Sequence, residues 1–391
     1  MTKLEQLINE LCPNGVEYRT LGEMATIVRG ASPRPIKNFI TNNSDGVNWI
    51  KIGDVKQGSK YITETAEKIT PEGAKKSRFV KEGDFILSNS MSFGRPYILK
   101  TKGCIHDGWL AISNIEQYFI PDFLYHLLNS NKYQQMMRQK ASFGGAVQNL
   151  NADIVRELEM PVIALEVQSE IVRILDNFAE LTAELTAELT ARKKQYEYYR
   201  DFLFANAKDA VSITLDKISE NCDAQRKPVT SGKREAGDIP YYGASGIVDY
   251  VKDYIFDGDY LLVSEDGANL LARNTPIAFS ISGKTWVNNH AHILKFDEYD
   301  TRRYVEIYLN SIDLSYYITG GAQPKLNQKN LNKIEIPLPP LDEQKRIVAI
   351  LERFDTLCND ISEGLPAEIE ARQKQYEFYR DKLLTFKALS T

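Results

Sequence analysis

The chain has 391 residues, of which 43% are hydrophobic and 26% charged, and its formal net charge is −5. This length suits about two to three domains with apolar cores. No run approaches the roughly 18 apolar residues of a spanning helix, the N-terminus lacks a signal-peptide core and the four cysteines show no paired spacing, so we expect a cytoplasmic protein rather than a membrane or disulfide-stapled one.

The beginning of the chain predicts a short helix followed by a mixed globule. Apolar residues between Leu4 and Leu11 recur with helical spacing, and the Pro-Asn-Gly sequence that follows ends the helix. From residue 16 to 161 the sequence changes to short β-rich runs punctuated by glycine, proline and asparagine, with one helix predicted over 121–138. We assign 1–15 to an N-terminal helix and 16–161 to a first α/β domain.

A single long helix is predicted over 165–204. Apolar residues recur in steps of three and four from Ile171 to Leu203, and no glycine or proline interrupts them. At about 1.5 Å per residue such a helix reaches roughly 60 Å, which exceeds the width of a domain of this size. It therefore needs a long partner, and we assign 162–207 to a first spacer helix.

The partner lies in the same chain, because 341–384 repeats the long helix residue by residue. Gln168 and Phe178 return as Gln344 and Phe354. The strongest match is between the C-terminal ends of the two helices, at 192–201 and 372–381. The glycine and proline in the Gly-Leu-Pro sequence at 364–366 must kink or restart this second helix, as a structural joint more than a regulatory hinge. The chain is an internal duplication.

The residues between the two helices repeat the first globule less closely. The pattern Gly-Asp-aromatic-apolar-Leu at 83–87 returns at 258–262, as a turn that leads into a strand. We assign 208–338 to a second domain and 339–391 to a second spacer helix. The predicted fold class is α+β, with two mixed α/β globules separated by two long antiparallel coiled-coil helices in a pseudo-two-fold internal repeat.

These motifs resemble the DNA specificity subunits of type I restriction-modification systems. The resemblance covers essentially the whole chain, and its most specific parts are the Arg-x-Lys-Gln-Tyr-Glu-x-Tyr-Arg-Asp segments at 192–201 and 372–381 and the Thr-Ala-Glu-Leu run at 182–189. It implies that each globule reads one half of a split double-stranded DNA site. It also implies that the helices set the gap between the halves and dock two methyltransferase subunits.

The same resemblance assigns the chemistry to partner subunits. The methyltransferase subunits would hold S-adenosylmethionine, restriction and translocase subunits would join the full complex, and this chain would carry no cofactor. A protein that holds DNA alone is normally basic, so the net charge of −5 predicts weak DNA binding by the isolated chain.

The Thr-Ala-Glu-Leu run predicts a spacing function for the helix. Leu181, Leu185 and Leu189 step by four and four, whereas an ideal heptad seam alternates three and four. Each four-residue unit adds about 6 Å of helix, comparable with one to two base pairs at about 3.4 Å each. We interpret the leucines as a ruler for the gap, the alternative being a solvent-exposed helix of low complexity.

Aromatic and basic residues cluster near the ends of both helices. Tyrosine and arginine are enriched at the centres of protein interfaces, so the cluster is a candidate for docking a partner subunit. Packing of the same tyrosines on the neighbouring globule is the alternative. The docking candidates are Tyr196, Tyr198, Tyr199, Arg200, Tyr376, Tyr379 and Arg380.

Polar and basic loops of the globules are the candidates for contacting DNA, although an ordinary surface loop has a similar composition. Asparagine, serine, lysine and arginine side chains can reach base edges or phosphates, and glycines allow close approach of backbone to a phosphate or form a tight turn. The candidates of the first globule are Arg29, Arg34, Lys37, Asn38, Ser88, Asn89, Ser90, Ser92, Arg95, Gly144, Gly145, Gln148 and Asn149. Those of the second are Arg226, Lys227, Lys233, Arg234, Asn269, Gly320, Gly321, Gln323 and Lys325.

The sequence offers no recognisable catalytic constellation. Ser282–Thr285 imitates the end of a phosphate-binding loop but lacks the leading glycine. His290 and His292 alternate as in a strand without cysteine or acid at ligand spacing, so no metal is expected. We expect a non-catalytic protein, and two rival interpretations remain, a coiled-coil adaptor with two protein-binding heads and no DNA role, and a self-contained enzyme.

Overall fold

A computed structural model describes residues 2–56, 58–89, 93–144, 147–321, 323–360 and 362–389. Contacts divide the chain into two units, the first formed by residues 1–185 and 369–391 and the second by residues 186–368. Each unit therefore contains one globule together with parts of both long helical segments. The domain boundaries given above stay predictions.

The secondary structure of the first unit alternates short strands with a few helices. Its helices in the described residues are Lys3–Leu11 (α1), Leu21–Met24 (α2), Pro71–Ala74 (α3), Pro121–Leu128 (α4), Asn131–Lys140 (α5) and Ala152–Arg156 (α6). Its strands are Glu17–Thr20 (β1), Thr26–Arg29 (β2), Ile40–Thr41 (β3), Val47–Ile50 (β4), Tyr61–Ile62 (β5), Glu67–Ile69 (β6), Arg78–Val80 (β7), Phe85–Ser88 (β8), Pro96–Leu99 (β9), Gly103–Ile105 (β10), Trp109–Ser113 (β11), Ser142–Gly144 (β12), Val147–Asn149 (β13) and Glu159–Val162 (β14).

The long helix Leu165–Ala205 (α7) begins in the first unit and ends in the second. The described strands after it are Val211–Thr214 (β15), Glu220–Asn221 (β16), Ala236–Gly243 (β17), Gly246–Val251 (β18), Phe256–Asp257 (β19), Tyr260–Ser264 (β20), Ala278–Ile281 (β21), Lys284–Val287 (β22), Ala291–Lys295 (β23) and Glu335–Leu338 (β24). The helices are Asn269–Ala272 (α8), Tyr299–Ser311 (α9), Gln328–Leu331 (α10), Leu341–Asn359 (α11) and Leu365–Leu383 (α12). The 41 residues of α7 confirm the continuous helix predicted from the spacing of its apolar residues.

Two sheets form the centre of the first unit. Among the described strands, one sheet has the order β2-β11-β8-β9-β5 and the other has the order β3-β6-β4-β10-β7. Because successive side chains of a strand point to opposite faces of the sheet, each face has its own core. Leu87 and Leu110 face helix α4, where Phe123 is buried, and Ile86 and Trp109 face the second sheet.

The second unit repeats this plan with two sheets of four described strands each, where the sheets of the first unit have five. Its described strands pair in the orders β16-β23-β20-β21 and β18-β17-β22-β19. Leu261 and Val263 pack with Tyr304 of α9 and with Ile347 of α11, whereas Leu262 belongs to the core on the opposite face. Leu87 therefore matches Val263 and not Leu262, which corrects the predicted repeat of 83–87 at 258–262 by one residue at the end of the strand. In both units the strand after the globule pairs antiparallel with the strand before it, β14 with β1 and β24 with β15.

Aromatic contacts between helical segments repeat with exchanged partners. In the first unit Phe178 of α7 stacks on Tyr379 of α12, with ring centroids 5.4 Å apart. In the second unit Phe354 of α11, the repeat of Phe178, stacks on Tyr199 of α7, the repeat of Tyr379, at 5.9 Å. In each unit, the N-terminal part of one helical segment therefore packs against the C-terminal part of the other segment. The mixed sheets and helices of the two units confirm the predicted α+β fold class with an internal repeat.

A buried glutamine fixes the start of each spacer helix. Gln168 is fully buried, its amide oxygen accepts from Ile120 N at 2.9 Å, and its amide nitrogen donates to the carbonyls of Tyr118 and Ile163 at 2.7 and 2.8 Å. The repeat, Gln344, donates to Pro339 O and accepts from the Thr301 hydroxyl, both at 2.7 Å. The residue that returned in the sequence repeat therefore has the same structural task in both units.

The predicted interruption of the second helix is confirmed. Helix α11 ends at Asn359 and α12 begins at Leu365. Gly364 lies where a Cβ atom would be 2.5 Å from Thr356 O and 2.7 Å from Asp360 O, so a side chain has no room at this joint. Ile361 lies outside the described residues.

One helix prediction was wrong. The segment 121–138 forms two helices, α4 and α5, which are separated at Asn129 and Ser130. The Ser130 hydroxyl donates to Leu127 O at 2.7 Å, and the side chain is buried, so this serine supports a turn and not a continuous helix. In the described ranges no helix is both long enough and apolar enough to cross a membrane.

Candidate nucleic-acid interface

In the first unit, backbone hydrogen bonds join three loop segments that are far apart in sequence. The N–H of Asn89, just after strand β8, donates to Gly108 O in the β10–β11 turn at 3.1 Å. The carbonyl of Asn89 in turn accepts from the N–H of Leu150, just after β13, at 2.8 Å. The end of β8, the β10–β11 turn and the segment after β13 therefore meet at one edge of the globule.

The second unit has the same set of backbone hydrogen bonds, and we call this set the frame of each unit. The N–H of Glu265, just after β20, donates to His290 O at 2.9 Å, and its carbonyl accepts from the N–H of Leu326 at 2.8 Å. A further bond joins Gly267 N to Pro324 O at 3.2 Å. Segments that are separate candidates in the sequence are thus brought together twice, once in each unit.

Asp107 organises the edge of the first unit. Its backbone carbonyl accepts from the Asn89 amide at 3.0 Å and from Arg29 Nε at 3.2 Å. Its carboxylate accepts from the Ser32 hydroxyl at 2.7 Å and from Arg34 Nη2 at 3.1 Å. The hydrogen bond from Ser32 lowers the pKa of Asp107, aided by Arg34 and opposed by partial burial. Arg34 nevertheless keeps 83% of its side chain exposed, so its guanidinium retains donors for a further ligand.

A compensated charge network organises the edge of the second unit. Arg226 donates to the Glu265 carboxylate at 2.5 Å and lies 3.4 Å from the Asp223 carboxylate. The other oxygen of Glu265 accepts from the Lys325 ammonium at 3.0 Å. Two acids and two cations therefore balance one another. Burial alone would raise the pKa of Glu265, but the hydrogen bonds from Arg226 and Lys325 outweigh it and lower that pKa.

His292 is the most deeply buried member of this network. Its Nδ1 lies 2.6 Å from the Asp223 carboxylate and its Nε2 donates to Leu326 O at 2.7 Å, while the ring is almost fully buried. The pKa of Asp223 is lowered because the hydrogen bond from His292, together with Ile293 N and Arg226, outweighs the opposing effect of burial.

The structure corrects one premise of the metal prediction, because acids do lie near His292. Asp223, Glu265 and His292 bring three potential ligand atoms within 4.8 Å of one another. Both carboxylates, however, are already neutralised by Arg226 and Lys325. A divalent cation would have to displace these partners, so the cluster fits an internal charge network better than a metal site.

About half of the predicted DNA-contacting residues are exposed where the structure places them. These residues are accessible to solvent, although Arg29 and Arg34 are also bonded to Asp107 and Lys325 is bonded to Glu265. The exposed ones are Arg29, Arg34, Lys37, Asn38, Arg95, Asn149, Lys227, Lys233, Gly320, Gly321, Gln323 and Lys325. Gly144 ends strand β12 and Gln148 lies in β13. Ser90, Ser92 and Gly145 lie outside the described residues.

Five of the predicted contacts are corrected by burial or by internal bonding. Ser88 and Asn89 are buried because the end of β8 is hydrogen-bonded to the β10–β11 turn and to the segment after β13. Asn269 is closed on the backbone of Thr275, at 3.0 and 3.1 Å, and Arg226 belongs to the internal charge network. Arg234 pairs with Asp249 at 2.9 Å and covers the ring of Tyr241, so its guanidinium supports strand β17.

The docking candidates likewise divide into residues that are buried and residues that are exposed. Tyr196 and Tyr376 pack against the cores of their units, and Arg380 is buried, as the packing alternative predicts. Arg200 and Tyr379 are partly buried. Tyr198 is 65% exposed and Tyr199 is 39% exposed. The ring of Tyr198 stacks on the exposed Phe202 at 6.2 Å.

The predicted site residues did not include Asp107, and the pairing of His290 with Asp266 was not predicted. The His290 Nδ1 atom lies 2.9 Å from both carboxylate oxygens of Asp266, and half of the ring is exposed. The dipeptide Asp107-Gly108 between two apolar runs is a turn signal that could have identified the first, although the flanking strands β10 and β11 belong to different sheets. Nothing local in the sequence predicts the second pair, because its partners are 24 positions apart.

Comparison with known proteins gives one consistent result. The family model of the type I restriction modification DNA specificity domain matches residues 13–192 and again residues 208–371. The specificity subunit of the type I restriction enzyme EcoprrI from Escherichia coli is 29% identical over 369 residues, 89% of this chain and 90% of that protein. A predicted type I specificity subunit from Haemophilus influenzae is 38% identical over 174 residues, which are 44% of this chain and 45% of that protein.

A solved structure from a study of assembly and conformational transition in a type I restriction-modification system has the same fold. It matches with a TM-score of 0.68 at 15% identity and covers 96% of this chain and 98% of its own. Two copies of the family domain, one per unit, thus account for nearly the whole sequence, and the chain belongs to the type I restriction-modification DNA specificity family.

Proposed function

We propose that this specificity subunit selects the DNA sequence for a type I restriction-modification complex, with each unit reading one half of a bipartite site. The observation that carries the proposal is the repeated frame. In both units the same backbone bonds assemble polar loops from three parts of the chain, at Asn89 in one and at Glu265 in the other. Side chains differ between the two edges, which suits two different half-sites.

The cations at the two edges have the chemistry of DNA recognition. Arg34, with most of its guanidinium exposed beside Asp107, can bind a guanine edge or a phosphate. Arg29 and Arg95 lie exposed in the same unit, and Lys227 and Lys233 in the other. These isolated cations compensate for little of the overall negative charge, which supports binding as part of a complex.

The partners complete the proposed complex. Two methyltransferase subunits, docked on the helical segments, would bind S-adenosylmethionine and transfer the methyl groups, and restriction and translocase subunits would join in the full assembly. The chain itself would act without catalysis, in the cytoplasm. Tyr198 and Phe202 offer an exposed aromatic surface on α7 for such docking.

An exchange of one recognition domain tests the proposal. Residues 16–160 are replaced by the corresponding segment of a relative with another specificity, and methylated motifs are mapped in DNA from cells that carry the chain with its modification subunits. We expect one half of the motif to change and the other half to remain. Residues 208–338 provide the matched exchange, which should change the other half only.

Two results would defeat the proposal. Alteration of both halves by one exchange would contradict the modular assignment of one half per unit. Absence of any methylated motif that depends on this chain would contradict the assignment of sequence choice to it.

A further inference from the structure

Among the described residues, three members of the charge network at the edge of the second unit correspond to uncharged residues of the first unit. Strand pairing makes His292, opposite Val263, the equivalent of Leu110, opposite Leu87. The shared backbone bonds make Glu265 the equivalent of Asn89. Lys325 and Asn149 each precede the leucine that donates to that residue, so they are equivalent as well. Uncharged residues in one unit thus correspond to charged or titratable ones in the other.

Glu265 is the centre of this network. Its backbone holds the frame, and its carboxylate uses one oxygen for Arg226 and the other for Lys325. The carboxylate is 11% exposed and Arg226 is 14% exposed, whereas Lys325 keeps 51% of its side chain exposed. A desolvated acid therefore binds a cation that stands at the surface.

Free cations at such a surface would act against sequence selectivity. A lysine that contacts phosphate contributes equally to all DNA sequences and increases non-specific affinity. A lysine that is bound to an internal carboxylate contributes less, because DNA must compete with a partner that is already in place.

We propose that Glu265 is a specificity-determining residue of the second unit, which binds the Lys325 ammonium and so withholds it from the phosphates of non-cognate DNA. The inference rests on the proposed function and adds a means by which this unit limits non-specific binding. Arg226 fixes the Glu265 carboxylate from the opposite side, as a positioning residue.

The salt dependence of non-specific binding tests this role. The complex of the full chain with its modification subunits is titrated with duplex DNA that lacks the methylated motif, at several salt concentrations. Each additional phosphate contact steepens the slope of log K against log salt by about 0.9. We expect Glu265→Gln to steepen the slope by about that amount, and Glu265→Gln with Lys325→Gln to restore the original slope.

Lys325→Gln alone is the second variant, and its exposed position makes folding secure. The slope should then stay unchanged, because Glu265 already withholds this ammonium. A slope that flattens by about 0.9 in Lys325→Gln would show that the lysine is free in the unaltered chain and would overturn the inference. An unchanged slope in a folded Glu265→Gln complex, or a steep slope that persists in the double variant, would overturn it too.

The proposed function can fail separately. If the unaltered complex prefers no bipartite sequence, the proposed function is wrong. If it does prefer one and the slopes behave otherwise than expected, only the role of Glu265 is wrong.

Discussion

Gln168 shows how a single residue can hold a helix onto a globule. It satisfies one N–H group and two carbonyls where the chain leaves the globule and enters α7. Leucine has a similar volume but cannot replace these bonds, and an unsatisfied buried backbone group costs about 1–3 kcal/mol. We expect Gln168→Leu to lower the free energy of unfolding of the first unit by about 2 kcal/mol or more, as measured by urea denaturation.

Two control variants separate this effect from a general one. Gln344→Leu removes the equivalent bonds in the second unit and should destabilise that unit instead. Gln139→Leu, on the exposed side of α5, should change stability by less than about 0.5 kcal/mol. A loss in Gln168→Leu no larger than that of Gln139→Leu would contradict the assigned task.

The buried Asp223 should make the second unit sensitive to acid. Its pKa lies below the usual value of 3.8, so the stabilisation it provides is fully present above that value and is lost as the pH falls through the lower folded pKa. We expect Asp223→Asn to be less stable than the unaltered chain at pH 6 by about 1–3 kcal/mol. The difference should shrink as the pH falls below about 4.

The measurement is thermal or urea unfolding at several pH values between 6 and 3. Ile281→Val is the control, since it removes a buried methylene from the same unit without changing a titratable group. Its loss of stability should not depend on pH. A difference between Asp223→Asn and the unaltered chain that stays constant down to pH 3 would contradict the assigned pKa shift.

At the scale of elements, the length of α7 leads to a prediction about DNA. Deletion of the unit 186–189 removes about 6 Å of helix and about 40° of rotation, since each residue turns by about 100°. Both changes correspond to one to two base pairs of DNA. We expect the gap between the half-sites to shorten by one or two base pairs, as read from methylated motifs, with both half-sites unchanged.

A variant of unchanged length is the control for this deletion. Glu188→Gln alters the repeat and its ion pair with Arg192 but keeps all residues, so the gap should remain as it was. A deletion that left the gap unchanged would refute the interpretation of Leu181, Leu185 and Leu189 as a ruler.

Elements were easier to predict than contacts, and the reason is physical. The helix α7 follows from apolar spacing alone, and the joint at Gly364 follows from residues with strong backbone preferences. The break at Ser130 was missed because a serine in a polar, otherwise helical stretch supports either a turn or a helix. Asn89 was predicted to be accessible, and it is buried by bonds to residues 108 and 150, which no local pattern reveals.

For the whole molecule, the balance of charge decides how it can meet DNA. The chain has 48 lysines and arginines against 53 aspartates and glutamates, and several of the cations are bound internally. We expect the isolated chain to bind its own bipartite site weakly, and the complex with modification subunits to bind the same duplex far more tightly. Fluorescence anisotropy at fixed salt compares the two, and equally tight binding by the isolated chain would contradict this prediction.

The repeated frame has a consequence for how such a protein can change over generations. Its bonds at Asn89 and at Glu265 run from main chain to main chain, so they do not depend on which side chain stands at those positions. An amide in one unit and a carboxylate in the other are held by the same geometry. The backbone bonds therefore survive changes in the side chains around them, so the exposed residues at this edge can change by single mutations while the architecture is kept.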